Sequence, residues 1–163
     1  MNATVEDASP GQGELKVLTA QGRIGRMRYI AWSFAIGLVV ALIAMIGGGI
    51  LSFLAGPLGM LFMAICYIAM IVAIVLITIQ RCHDFNATGW LALILLVPLA
   101  PIVFWFIPGT AGSNSYGPPP PPNSTAVKVL FWLMIVCIVL GVIGSIAMPT
   151  AMMGHMQMQM PVQ

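Results

Sequence analysis

The chain has 163 residues, of which 60% are hydrophobic and 6% are charged, whereas an average soluble domain is roughly 45–50% apolar and about 25% charged. Six basic and four acidic residues are too few to cover a water-exposed surface, so the composition excludes an ordinary soluble fold and predicts a bilayer as the main solvent. A net charge of +2 is too small to neutralise several phosphates, so no nucleic-acid partner is expected.

The first segment, residues 1–21, is polar and lacks the basic start and apolar core of a secretory signal peptide, which predicts a disordered cytoplasmic tail. Arg23, Arg26 and Arg28 follow closely and directly precede a long apolar run. We expect these arginines to lie at a membrane surface, near phosphate head groups.

Two apolar runs, residues 29–55 and 58–79, predict the first two transmembrane helices. The first run would form a helix of about 40 Å against a hydrocarbon core of roughly 30 Å, so it must tilt or break, and Gly47-Gly48-Gly49 is the expected break. Gly56-Pro57 separates the runs and predicts a tight turn between antiparallel helices.

Residues 80–88 are polar and predict a water-facing loop, and residues 89–107 predict a third span with Trp90 and Trp105 near its two ends. Pro98 predicts a kink in that span. The proline run 118–122 predicts a stiff polyproline II rod, and residues 119–126 would act as a spacer. A fourth span at 127–148 and a Met-rich tail at 149–163 complete the prediction of an all-α, polytopic integral membrane protein with four transmembrane helices.

Charge distribution predicts the orientation of these four spans. With an even number of spans, Lys16, the three N-terminal arginines and Arg81 share one side, and Lys128 lies on the other. Because basic residues accumulate on the cytoplasmic side, we expect both termini in the cytoplasm. Cys66 and Cys137 fall in spans and Cys82 faces the reducing side, so no disulfide is expected.

Arg81, His83 and Asp84 form the cluster in which a cation, an imidazole and a carboxylate lie together at a membrane boundary. One hypothesis is a proton relay or anion site, because ionisable groups at a membrane are candidate functional groups. The alternative is that Arg81 anchors the second helix at the head groups while Asp84 pairs with Arg81 or with an N-terminal arginine. That alternative explains the charges without a ligand.

The C-terminal tail offers soft ligands that suit Cu(I). These weak candidates are Met152, Met153, His155, Met156, Met158 and Met160. A flexible, oxidisable tail on the bilayer is the competing interpretation, and a cytoplasmic tail argues against copper scavenging at the cell exterior. Hydrolase elbows, phosphate-binding glycine loops and zinc-binding helices do not occur in the sequence, so we expect no enzymatic activity and no cofactor.

Three motifs occur in order along residues 22–118: Arg23 and Arg26 before the first span, Arg81, His83 and Asp84 followed by Gly89-Trp90, and the loop from Gly109 to Gly117. Together they resemble the domain of unknown function 805 family of small bacterial inner-membrane proteins. The positions that carry the resemblance are Arg23, Arg26, Arg81, His83, Asp84, Gly89, Trp90, Gly109, Asn114, Tyr116 and Gly117. The resemblance implies a helical inner-membrane protein and carries no established activity. Gln80, Cys82 and Ser115 depart from the family's pattern, and the lost charges weaken an anion-site hypothesis.

The matched positions have structural roles that can be read from their chemistry. Gly109, Asn114 and Gly117 suit a turn that folds the outer loop back over the helix ends. The leading hypothesis is a non-enzymatic protein whose Arg/His/Asp loop and basic N-terminal segment organise a contact at the cytoplasmic face. The expected partners are membrane lipids, with anionic lipids as candidates, a second copy of the chain or another membrane protein.

Two alternatives to that hypothesis stay open. The first is a small oligomeric transporter or channel with His83 and Asp84 at its inner mouth. The second is Cu(I) binding by the Met-rich tail.

Overall fold

The computed structural model describes residues 19–158, and these are helical or irregular, with one isolated β-bridge between Asn114 and Gly117. The long helices are α1 (Arg26–Leu54), α2 (Gly56–Asp84) and α4 (Thr125–Met158), and a one-turn helix, α3, covers Val103–Phe106. Most of the predicted N-terminal tail, residues 1–18, lies outside the described residues. The candidate Cu(I) ligands between 152 and 160 likewise fall where side chains are not described.

Helices α1 and α2 form the predicted hairpin, with Ala55 alone between them. The expected break at Gly47-Gly48-Gly49 was wrong, because α1 continues through all three glycines. A Cβ on Gly59 of α2 would lie 2.7 Å from the carbonyl oxygen of Gly48 and 2.6 Å from the amide of Ser52. The backbones of the two helices therefore come close at Gly48 and Gly59, beside the Ser52 side chain, and this close packing supports the helix through its glycine run.

Residues 89–107, which we call the return segment, do not form the predicted third membrane helix. They fold as 3-10 helices over Gly89–Leu96 and Ala100–Ile102, followed by α3. Pro98 and Pro101 lack amide hydrogens, and Leu99 between them has a positive φ of 65°, so the expected kink is a complete break. Three helices in the described chain are long and apolar enough to cross a membrane, namely Arg26–Leu54, Gly56–Asp84 and Thr125–Ile146. Four spans are not confirmed.

The return segment leaves and rejoins the same end of the α1–α2 hairpin. Gly89 lies against Ile79 near the end of α2, and the 3-10 helix then runs along α2 until Leu96 shares a groove with Tyr67. The chain comes back at Phe104, whose carbonyl accepts a hydrogen bond from Arg81. We call this end, which carries the start of α1 and the last turn of α2, the polar end.

The loop after the return segment also lies at the polar end, not on the opposite side as four spans required. The amide of Thr110 donates to the carbonyl of Asp84 at 2.8 Å. Arg28 donates to the carbonyls of Pro121 and Pro122 at 3.0 and 2.7 Å, so the proline run docks against α1 and does not act as a free spacer. Helix α4 therefore starts at the polar end too.

The hydrophobic core lies close to the polar end and is small. Its buried members include Ile24, Tyr29, Ile77, Phe104 and Met134, which come from the segment before α1 and from the four α-helices. Farther along, the most apolar windows of the three long helices are only 6%, 17% and 6% buried within the chain. These helices need another apolar surrounding, which a bilayer supplies.

Candidate functional site

One carboxylate and two guanidinium groups form a buried cluster at the polar end, the polar cluster of Arg23, Arg81 and Asp84. Nη2 of Arg23 lies 3.2 Å from one carboxylate oxygen of Asp84, and Nη1 of Arg81 pairs with the other. The three residues are 5%, 0% and 3% exposed. The last turn of α2 supplies Arg81 and Asp84 three residues apart, so both face the same side of the helix.

Backbone carbonyls accept further hydrogen bonds from both guanidinium groups. Arg81 donates to Phe104 at 3.0 Å, to Ile24 at 3.5 Å and to Ile107. Arg23 donates to Gly112 and Thr110, each at 2.7 Å, to Gly117 at 3.2 Å and to the Asp84 carbonyl at 3.4 Å. Buried charges are costly unless paired and hydrogen-bonded. This cluster meets that requirement and ties four chain segments together.

Gly109 lets the loop approach the polar cluster. A Cβ at this position would fall on the Asp84 carboxylate, with the carboxyl carbon only 2.8 Å away. Any larger residue would push the loop off the carboxylate, so the close approach of the Pro108-Gly109-Thr110 segment requires glycine at its centre.

His83 lies beside the polar cluster but faces different partners. Its ring stacks on Tyr116 with centroids 3.8 Å apart and an angle of 5°, and its Nδ1 lies 3.3 Å from the carbonyl oxygen of Gly22. Asn114 donates to the His83 carbonyl at 2.8 Å and shapes the turn that presents Tyr116. Among the contacts described for His83, none joins its ring to Asp84, so the geometry does not assemble the imidazole–carboxylate pair of a proton relay.

The structure corrects the expected position of three arginines. Arg23, Arg28 and Arg81 were expected at lipid head groups, but all three are buried and bound to carbonyl oxygens. Of the predicted residues, Gly89 lies against Ile79 and His83, whereas Arg26 and Trp90 are exposed, Trp90 by 81%. The pairing of Asp84 with Arg81 and Arg23 is among those that the sequence allowed.

Sequence reasoning missed a second set of buried polar contacts. Arg28 is 2% exposed and holds the proline run, and the hydroxyl groups of Tyr29 and Thr78 lie 3.2 Å apart. Gln80 donates to the Thr19 carbonyl. A polar residue near the end of an apolar helix, as at Thr78 and Gln80, was the available signal that the last turn of α2 faces protein.

An open cavity of about 560 Å³, which we call the polar-end cavity, lies between the starts of α1 and α4. Its wall includes the exposed Arg26, the polar residues Thr110 and Asn123 and the aromatic residues Trp105 and Phe131. Asp84 also reaches the wall, but two guanidinium groups already pair with it. A cation with neutral hydrogen-bonding groups suits a phosphate group at a membrane surface, and aromatic residues are common at that depth. No group of three or more potential metal ligands of the His, Cys, Asp and Glu types occurs in the described part of the chain.

Comparison with known proteins gives a family and nothing closer. No curated protein and no solved structure matches the chain. The family described as protein of unknown function (DUF805) matches residues 17–118, which include the polar cluster, α1, α2, the return segment and the loop up to Pro118. Helix α4 lies beyond the match. The chain therefore belongs to the DUF805 family.

Proposed function

We propose that this protein is a non-enzymatic protein of the bacterial inner membrane whose polar end organises anionic lipid at the cytoplasmic face. The observation that carries the proposal is the polar-end cavity, where the exposed residue Arg26 lines the wall together with hydrogen-bonding and aromatic residues, between the starts of α1 and α4. Basic pockets in this position are a known way of binding phosphate head groups.

Net charge at the polar end supports the same proposal. Residues 19–158 contain five basic side chains and one acidic side chain, a net charge of +4, and the whole chain with six basic and four acidic residues remains positive at +2. The acidic one is Asp84, which offsets only one of its two partner arginines. The resulting positive potential attracts anionic lipids within a Debye length of the surface.

Burial of three arginines leaves two basic side chains available for contact with lipid. Arg23, Arg28 and Arg81 are buried, and each donates hydrogen bonds to protein carbonyls. Arg26 and Lys128 are exposed, one at the start of α1 and the other in the first turn of α4. We therefore assign the lipid contact to Arg26 and Lys128, where the Arg/His/Asp loop had been expected to make it.

The orientation that we propose differs from the one that four spans required. The return segment rejoins the polar end, so Lys128 lies at the same end as the four arginines. By the positive-inside rule this end faces the cytoplasm, together with the start of α1. If the three long helices cross, the C-terminal end of α4 emerges on the other side. The sidedness argument against copper binding by the tail then no longer applies.

The transporter or channel alternative is weaker in a single subunit. Away from the polar end, the hydroxyl-bearing side chains of the described spans are Ser33, Ser52, Ser145 and the tyrosine Tyr67, which is too sparse a set for a hydrophilic path. A pathway between subunits would require an oligomer, so the mass of the purified protein separates the two proposals.

Lipid retention measured by native mass spectrometry tests the lipid proposal. Wild type released from mixed phosphatidylglycerol and phosphatidylcholine nanodiscs should keep phosphatidylglycerol, and Arg26→Gln with Lys128→Gln should lose that preference. Arg26→Lys is the matched control because it keeps the charge. Competition by inorganic phosphate would identify a site for free anions, whereas insensitivity to phosphate supports the lipid head group.

Two results would overturn the lipid proposal. Equal retention of the two lipids by wild type would remove the head-group preference on which it rests. A symmetric oligomer that is insensitive to lipid would put the transporter or channel first.

A further inference from the structure

A second cavity of about 570 Å³, the lateral groove, separates α2 from the 3-10 helix of the return segment. One wall runs along α2 from Tyr67 to Ile79, and the facing wall runs from Trp90 to Leu96. The volume falls within the roughly 300–1,000 Å³ typical of small-molecule sites. It shares no lining residue with the polar-end cavity.

The chemistry of the walls restricts what the groove can hold. Apart from Tyr67 and Trp90, every lining residue is a glycine or carries an apolar side chain. A charged or sugar-like ligand would lose its hydration there without gaining hydrogen bonds. A hydrocarbon chain meets no such cost.

The depth of the groove matches one leaflet. Tyr67 and Ile79 are twelve residues apart on α2, which is about 18 Å along a helix, and half of a hydrocarbon core of roughly 30 Å is about 15 Å. The shallow end, at Ile79 and Gly89, lies next to the polar end. A chain that enters there with its head group at the polar end would reach the bilayer midplane near Tyr67.

The groove is open to the side. Trp90 and Leu96 on its outer wall are both 81% exposed, and Leu93 between them is 58% exposed. A lipid in the surrounding bilayer can therefore enter the groove from the side.

We infer that the lateral groove binds one acyl chain of a glycerophospholipid from the leaflet at the polar end. The return segment creates this site because its prolines turn it back at the depth where the chain would end. The inference concerns the hydrocarbon part of a lipid, so it does not require the head-group preference of the polar-end cavity.

Photo-crosslinking tests this inference directly. Wild-type protein in nanodiscs of phosphatidylcholine, doped with phosphatidylcholine that carries a diazirine in its acyl chain, is irradiated, and the labelled residues are mapped by mass spectrometry. We expect labelling at Met70, Leu93 and Leu96 to exceed by several-fold that at Ile43, a reference on α1 that is 51% exposed. Labelling at the reference level throughout would overturn the inference.

Filling the groove provides the matched comparison. Val75→Trp places a large ring in the groove, and Leu93→Trp does so from its exposed rim in case the first variant does not fold. Val39→Trp on α1, where Val39 is 53% exposed and outside the groove, is the control. Both groove variants should lower labelling at Met70 several-fold and the control should not, and equal labelling in all three would contradict the inference.

Because these nanodiscs contain no anionic lipid, the two proposals fail separately. Loss of groove labelling leaves phosphatidylglycerol retention by Arg26 intact, and loss of that retention leaves groove labelling intact. Protein-to-protein crosslinks from the groove, with a doubled mass, would assign it to a second copy and overturn the acyl-chain site.

Discussion

Replacing Asp84 by asparagine removes the carboxylate that joins Arg23 and Arg81 while keeping the size of the side chain. The side chains of Arg23, Arg81 and Asp84 are 1%, 0% and 4% exposed, so water cannot screen the charge that is left unpaired. Removing one partner of a buried ion pair costs about 3–5 kcal/mol. Because carbonyl oxygens still bind both guanidinium groups, we expect a loss near 3 kcal/mol.

For a chain of this length, 1 kcal/mol shifts the melting temperature by roughly 2–4 °C, so a loss of about 3 kcal/mol should lower Tm by roughly 6–12 °C. Thermal unfolding in nanodiscs, followed by circular dichroism, measures the shift. Asn123→Ala, a truncation of an exposed side chain at the same end, is the control and should leave Tm nearly unchanged.

A double-mutant cycle separates the ion pair from other effects of the substitution. Arg23→Gln should be less harmful in the Asp84→Asn background than in wild type, because the arginine then has no carboxylate to lose. An unchanged Tm in Asp84→Asn and in Asp84→Ala would refute the reasoning, since it would mean that the carbonyl oxygens alone hold both arginines.

Further predictions concern the glycines at tight contacts and the orientation of the chain in the membrane. Gly109→Ala should destabilise the protein through its collision with the Asp84 carboxylate, whereas Gly37→Ala, with open space around its Cβ, should be neutral or stabilising in the same thermal assay. Gly59→Ala should loosen the α1–α2 hairpin and lower Tm, and an unaffected Tm relative to Gly49→Ala would mean that the helices separate without cost. With its native cysteines replaced, a protein carrying Ser113→Cys should react with an impermeant thiol reagent from the cytoplasmic side. A reporter fused to the C-terminus should in contrast be active on the opposite side, and a cytoplasmic reporter would contradict three crossings.

Local sequence was enough to predict the membrane character and the first hairpin. Long apolar runs predict membrane helices, and Gly56-Pro57 predicts a turn between two neighbouring helices. The described helices α1 and α2 agree with both predictions. The charges of Arg81 and Asp84 also limited the possible partners, since they lie three residues apart on one helix. These properties depend on composition and on helical spacing, which the sequence contains.

Only the tertiary structure decided the path of residues 89–107 and the burial and partners of the arginines. Hydropathy measures how well a segment tolerates hydrocarbon, and it is the same for a helix that crosses and for a segment that enters and returns. Pro98 and Pro101 break the helix, and the buried guanidinium of Arg81 donates hydrogen bonds to the carbonyl oxygens of Phe104 and Ile107. Together these features fix the return of the segment. Because a buried cation must find acceptors wherever the fold brings them, its partners lie 23 and 26 residues away, beyond the reach of any local pattern.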